Sequence, residues 1–198
     1  MLVREHDVVL DGVTPSGGKV RLRPLTEADW PLLCAWNSDP EVLYYSEGDD
    51  IARWEPEQVR QIYRTVSQSA FCFVIHYEGT PVGECWLERM NLKRVIDAFP
   101  GQDVRRIDLM IGEKSFWGRG IGSTAISLLA SFGSEQNVDV IYIPDVADYN
   151  VRSLKAFQRA GFSVVCERFQ PPGGKAHRTY DLIHKSPSTL KVGDPISQ

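Results

Sequence analysis

The chain is poor in the residues that carry metal, redox and membrane chemistry. Its four cysteines, Cys34, Cys72, Cys85 and Cys166, form no CxxC pair and three of them sit in apolar runs, which implies reduced, buried thiols in a cytoplasmic protein rather than a disulfide framework. The four histidines, His6, His76, His177 and His184, show neither HExxH nor any other ligand spacing, so no catalytic metal is expected. No run approaches the ~18 apolar residues of a membrane span, and the opening MLVREHDVVLDG lacks the apolar core of an export signal, so a soluble protein is expected. Basic residues are also in the minority: Lys and Arg number 22 against 26 Asp and Glu, for a net charge of -4. The electrostatic footprint of a nucleic-acid binder is missing, and the expected partner is neutral or cationic, with no nucleic acid and no membrane.

What is present is enough apolar sequence, 42% of 198 residues, to build one full core. Residues 1–184 read as a single domain and the polar stretch 185–198, with its Pro and Ser, as a disordered tail. After the polar turn DGVTPSGGK, the run VRLRPL alternates as a half-buried strand does. Thr26 can cap a helix over EADWPLLCAWN, with Asp29 in its first turn. Between Asp39 and Glu57 stand seven carboxylates (Asp39, Glu41, Glu47, Asp49, Asp50, Glu55 and Glu57) against the single Arg53. Within this segment VLYYSEGDD shows no clean period and reads as a loop, either simply solvated or a lid over a substrate.

The spacing of Val59, Ile62, Tyr63 and Val66 puts them on one helical face, with Tyr63 in the core. FCFVIHY and PVGECWLERM flank the hairpin signal EGT, and the loop DAFPGQD leads into RRIDLMI, giving three consecutive antiparallel strands. A helix carrying Ala125, Leu128, Leu129 and Phe132 follows, then the strand VDVIYIPD. Asn150 caps VRSLKAFQRAG, which stops at Gly161, and FSVVCERF and HRTYDLI close the chain around the turn QPPGGKA. The order predicts an α/β domain with one mixed, mostly antiparallel central sheet flanked by helices, not repeated βαβ units.

The stretch DLMIGEKSFWGRGIGS joins a strand to a helix through Gly118, Gly120 and Gly122. Free amides and the aligned dipoles at a helix N-terminus attract anions, and glycines let a phosphate approach the backbone. Ser123 and Thr124 add hydroxyls and Arg119 a charge; the alternative is a tight turn that holds nothing. A P-loop is excluded because no Lys follows the glycines, and the dinucleotide pattern GxGxxG is excluded because this turn reads GxGxG.

WGRGIG, with YNVRSLKAFQRAGF at the expected separation, resembles the GCN5-related N-acetyltransferase (GNAT) superfamily, whose pattern is [Q/R]xxGx[G/A]. The resemblance covers roughly residues 20–184 and departs at Trp117, where Gln or Arg is usual. It implies acetyl-CoA as cosubstrate, with the pyrophosphate on Trp117, Gly118, Arg119, Gly120, Ile121, Gly122, Ser123 and Thr124. By the same likeness Leu109, Met110 and Ile111 line the thioester, and Asn150 meets the pantetheine arm. RRIDLMIGE and IYIPDVADYN are similar to segments of aminoglycoside 6'-N-acetyltransferases, which implies a base at Asp108 and a holder of the cationic sugar at Asp145.

The chemistry agrees with a carboxylate near the acceptor, since an amine with a pKa near 10 must lose a proton before it attacks a thioester. Asp108 instead reads as a partner of Arg105 or Arg106, and Asp145 as a turn residue, if the site is structural. Asp148 and Glu84 are further candidate cation ligands, and Tyr44 and Tyr45 candidate stacking surface, although packing explains both tyrosines equally. Many relatives carry at Phe157 a Tyr that protonates the departing thiolate; Tyr149 or water is left for that task here. No cysteine falls in either motif, which favours direct transfer in a ternary complex. Acylation of a protein N-terminal amine and non-catalytic sensing of acetyl-CoA are the alternatives, and monomer and homodimer stay equally open.

Overall fold

The computed structural model describes residues 1–47, 51 and 53–185. Eight strands form one sheet in the order β1-β2-β3-β4-β5-β6-β8-β7. They are β1 (Leu10–Val13), β2 (Lys19–Pro24), β3 (Ala70–Tyr77), β4 (Thr80–Arg89), β5 (Val104–Met110), β6 (Val140–Ala147), β7 (Ser163–Phe169) and β8 (Arg178–Lys185). Every pairing is antiparallel except β5 with β6, which is parallel. The expected α/β class, with a mixed and mostly antiparallel sheet, is what the chain adopts. The three strands from FCFVIHY to RRIDLMI pair as anticipated, the first two around the positive-φ pair Glu78 and Gly79.

Among the described residues six helices flank the sheet: α1 (Trp30–Trp36), α2 (Pro40–Ser46), α3 (Pro56–Val66), α4 (Lys93–Ile96), α5 (Ile121–Glu135) and α6 (Val151–Arg159). Alternation along the central strands sends one set of side chains to each face. Phe73, Ile75, Cys85, Leu87 and Ile107 meet Ala125, Ile126 and Leu129 of α5 on one side. On the other, Cys72, Val74 and Met110 meet Leu33 and Trp36 of α1 and Val59 and Tyr63 of α3. Burying such a side chain contributes about 1.5–3 kcal/mol, so the two layers fix the strands that carry the site.

Three expectations need correction. Residues 42–46 of the presumed loop VLYYSEGDD are helical in α2: Asp39 accepts from the amides of Glu41 and Val42, Pro40 opens the first turn, and Val42 and Leu43 bury beneath it. Residues 11–13, read within a polar turn, belong to β1, a short strand paired with β2 alone. Asp145 does not end its strand; it sits at φ 56 in a bulge between Ile143 and Val146 of β6. The tail expected from residue 185 onward falls, after Lys185, outside the described residues, as do Asp49 and Asp50 of the acidic segment.

Candidate functional site

The site starts from a divergence of strands. β5 and β6 pair only at Val104↔Val140 and Arg105↔Ile141, so beyond these residues the two strands separate and the second half of β5 ends in an open wedge. Below that end, Gly83 of β4 comes so close that a Cβ there would lie 2.1 Å from the Met110 carbonyl oxygen and 2.9 Å from Ile111 Cα. Only a residue without a side chain admits this approach, so the sequence of β4 sets the path of the β5 terminus.

From β5 the chain passes through the 3₁₀ turn Lys114–Phe116 to the glycine turn, where Gly118 and Gly120 adopt φ 79 and 80 and Gly120 caps α5. A cleft of about 390 Å³ runs from the β5 end across this turn to α6. It gathers most of the cofactor residues expected from the sequence. Leu109, Met110 and Ile111 form one wall, Trp117, Gly118, Gly120, Ile121, Gly122 and Ser123 the floor, and Asn150 the opposite rim. Arg119 and Thr124 do not line it: the Arg119 guanidinium lies 5.0 Å from the Phe116 ring centroid, and Thr124 Oγ1 donates to the Gly120 carbonyl at 3.0 Å. Ser123 Oγ donates to the same carbonyl at 2.9 Å, so both hydroxyls brace the turn.

Sequence reasoning missed the third wall. Arg152, Lys155 and Arg159 of α6 all face the cleft. Their spacing of three and four residues marks one helical face, so the signal was readable. A cleft with one edge made of helix-terminal amides and another of three cations suits a polyanion with an apolar extension reaching the β5 end. Trp117, at the position where the sequence departs from its pattern, donates from Nε1 to the Ile111 carbonyl at 2.7 Å. The Arg152 guanidinium lies 4.0 Å from the Trp117 ring and 4.2 Å from the Tyr45 ring, and Asn150 Nδ2 donates to the Tyr45 carbonyl at 2.9 Å. Tyr45 thus belongs to the cleft wall, and α2 is fastened to α6 across its mouth.

On the other face of β5 lies a carboxyl cluster. Asp108 accepts from Trp86 Nε1 at 3.0 Å and from Arg106 Nε at 2.6 Å, which holds its orientation. Glu84, with 3% of its surface exposed, hydrogen-bonds the Tyr63 hydroxyl, which also accepts from Asn37 Nδ2 at 3.0 Å. Glu84 Oε2 is buried and has no hydrogen-bond partner among the described residues. Burial, then the charges of Asp108 and Glu47, push the Glu84 carboxyl well above the usual carboxylate range; Glu47, at the end of α2, is raised by partial burial and by Asp108. Three carboxyl groups therefore sense one another on this face of the strand end.

The remaining candidates are engaged elsewhere. Asp145 pairs with Arg94 and Arg168, each at 2.7 Å, and its amide donates to the buried Asp181. Asp148 accepts from the amides of His177 and Arg178 at 3.3 and 3.1 Å, clamping the start of β8. Phe157 packs in the core against Phe162. Tyr44 and Tyr149 face each other at 5.6 Å beside the cleft mouth. Burial raises the thiols of Cys72 and Cys85, and neither Cys34 nor Cys166 lines the cleft. Among the described residues, no group of three or more His, Cys, Asp or Glu could hold a metal ion, and no helix is long and apolar enough to cross a membrane.

Residues 19–163 match the family model of the acetyltransferase (GNAT) domain. An uncharacterized protein of Methanocaldococcus jannaschii, MJ1062, is 24% identical over 148 residues, which are 73% of this chain and 28% of that protein. The chain thus spans less than a third of that curated relative. Among solved structures, aminoglycoside acetyltransferase AAC(6')-Ib in complex with coenzyme A superposes with a TM-score of 0.65 at 21% identity, over 84% of this chain and 94% of that one. RimJ of Mycobacterium smegmatis in complex with CoA-disulfide gives 0.71 at 16% identity, over 93% and 90%. A GNAT-family acetyltransferase from Bacillus anthracis gives 0.69 at 16% identity, over 90% and 98%. At these identities the likeness is one of fold.

Proposed function

The chain belongs to the acetyltransferase (GNAT) domain family, and from that premise we propose that it transfers the acetyl group of acetyl-CoA to a primary amine of a cationic small molecule, with the 6'-amine of an aminoglycoside as the leading acceptor. The residues present fit the cosubstrate. The positive-φ glycines leave the helix amides bare, and a Cβ at Gly122 would already touch Leu109 Cδ2 at 3.5 Å. The amides at the α5 N-terminus and the cations Arg152, Lys155 and Arg159 hold the phosphates, and the splayed β5 end receives the pantetheine arm. When bound, acetyl-CoA supplies the activated acyl group.

The chain's own part is orientation and proton handling. Amides near Met110 and Ile111 orient and polarise the acyl carbonyl. Asp108, fixed by Trp86 and Arg106, takes the proton that the acceptor ammonium must lose. The raised thiols of Cys72 and Cys85 are poor nucleophiles, which supports direct transfer without a covalent enzyme intermediate. A coenzyme A thiolate, with a thiol pKa of about 8.5, can leave without a strong acid, consistent with Phe157 in the position where many relatives carry a Tyr.

The observation that carries the acceptor reading is the placement of the Asp108 carboxylate, held by Trp86 and Arg106 beside the strand end with Glu47 and the buried Glu84 close enough to feel its charge, where it attracts an arriving cation. Likenesses to both AAC(6')-Ib and RimJ make the acceptor the quantity to test. Thiol release from acetyl-CoA should be followed against aminoglycosides with and without a 6'-amine and against short peptides with free N-termini. Turnover confined to 6'-amino compounds is expected. Release with peptides alone would replace the small-molecule acceptor by a protein N-terminus.

A further inference from the structure

The turn between β7 and β8 carries a cation into an aromatic pair. The Lys175 ammonium lies over the ring of Tyr44, is 3.9 Å from the ring centroid of Tyr149, and donates to the Tyr44 carbonyl at 3.0 Å. Tyr44 comes from α2 and Tyr149 from the turn before α6, so two distant segments meet around one ammonium. Aromatic faces with a carbonyl acceptor are the chemistry that selects alkylammonium groups.

This pair adjoins residues at the mouth of the cleft. Tyr45 and Asn150, the chain neighbours of Tyr44 and Tyr149, both line the cleft, and the hydrogen bond from Asn150 to the Tyr45 carbonyl ties the two segments at its mouth. The lysine itself comes from the turn between β7 and β8. The turn is closed at its base by the Gln170 amide on the His177 carbonyl at 2.9 Å and by Asp148 on the amides of His177 and Arg178, whereas residues 171–174 at its tip are exposed.

We propose that Tyr44 and Tyr149 form a recognition site for a second ammonium group of the acceptor, and that Lys175 is its internal occupant, displaced when the acceptor binds. The preferred acceptor class is then a diamine or polyamine, one nitrogen reacting at the β5 end and another between the rings. The inference rests on the reading that this chain acylates an amine. A tethered occupant competes at an effective concentration in the millimolar range, which penalises weak monoamines most.

The test separates the two claims. Lys175 labelling by an acetyl N-hydroxysuccinimide ester is measured by peptide mass spectrometry, in tetramethylammonium chloride and in sodium chloride of equal ionic strength. Displacement by the quaternary cation should raise Lys175 labelling about threefold or more, with Lys19 and Lys155 unaffected, and Tyr149→Leu should raise it without any additive. Lys175→Met should lower KM for a diamine about three- to tenfold, and more than for a monoamine, with kcat retained. Equal labelling in both salts, together with unchanged labelling in Tyr44→Leu and Tyr149→Leu, would overturn the proposal. If labelling responds but no amine is acylated, the aromatic site stands and the acyl-transfer reading falls.

Discussion

Replacing Gly83 by Ala probes the joint between fold and chemistry. The added Cβ would sit 2.1 Å from the Met110 carbonyl oxygen, on rigid backbone and not on a flexible side chain. Carbon and carbonyl oxygen rest at about 3.3 Å, so the end of β5 must retreat by about 1 Å. Overpacking of this kind costs about 1–3 kcal/mol. For a chain of this size each kcal/mol lowers Tm by about 2–4 °C, giving an expected fall of about 2–12 °C. The larger effect should be on catalysis, because the displaced residues are those assigned to the acyl carbonyl, and a misplacement of about 1 Å costs about 100-fold in rate. Thermal unfolding and thiol release at saturating acetyl-CoA measure the two effects separately. A variant with kcat within about twofold of the parent and an unmoved Tm would refute the assignment of the strand end to orientation.

Other perturbations test the remaining parts. Asp108→Asn should lower kcat at neutral pH by about 10²- to 10⁴-fold, measured by thiol release, while leaving acetyl-CoA binding intact; undiminished turnover would remove Asp108 as the base. Asp181→Asn breaks a buried carboxylate that meets Arg94, Arg168, the Tyr142 hydroxyl at 2.5 Å and the Asp145 amide, and should cost about 3–5 kcal/mol in denaturant unfolding at pH 7. Burial raises the Asp181 carboxyl, but these bonds together outweigh it and hold it below the usual range. Its stabilisation is therefore complete above the unfolded value of about 3.9 and lost as pH falls below it, so the difference between parent and variant should shrink in acid. Glu84 has the opposite sign: its raised carboxyl binds a proton more tightly when folded, so its contribution falls as pH rises above the unfolded value of about 4.3. The Tm of Glu84→Gln relative to the parent should accordingly be higher at pH 8 than at pH 5.

What was legible in the sequence was local. The alternation of β3, β4 and β5, the glycine turn and the Asn150 cap each involve residues close in the chain, and the structure brings the end of β5, the glycine turn and Asn150 together at one cleft. α2 was legible in principle: Asp39 as cap, Pro40 at the first position and the apolar Val42 and Leu43 are helix signals, but the surrounding carboxylates gave the stretch the composition of a loop. β1 is four residues long and exists through its pairing with β2, a partnership no pattern within Leu10–Val13 announces. The engagement of Asp145 was hidden for the same reason, since Arg94 and Arg168 lie far from it in the chain and reach it only through the sheet. Trp117 is the instructive departure: its indole N–H donates to the Ile111 carbonyl and its ring carries the stacked Arg152, contacts that depend on the indole and not on the usual Gln or Arg.

The central claim is that the cleft between the β5 end, the glycine turn and α6 holds acetyl-CoA. Calorimetric titration of acetyl-CoA into the purified chain measures it without any assumption about the acceptor. One site per chain is expected, with affinity weakened when Arg152 and Lys155 are both replaced by Ala and weakened further by salt. Absence of binding, or binding indifferent to those two cations and to ionic strength, would contradict the account.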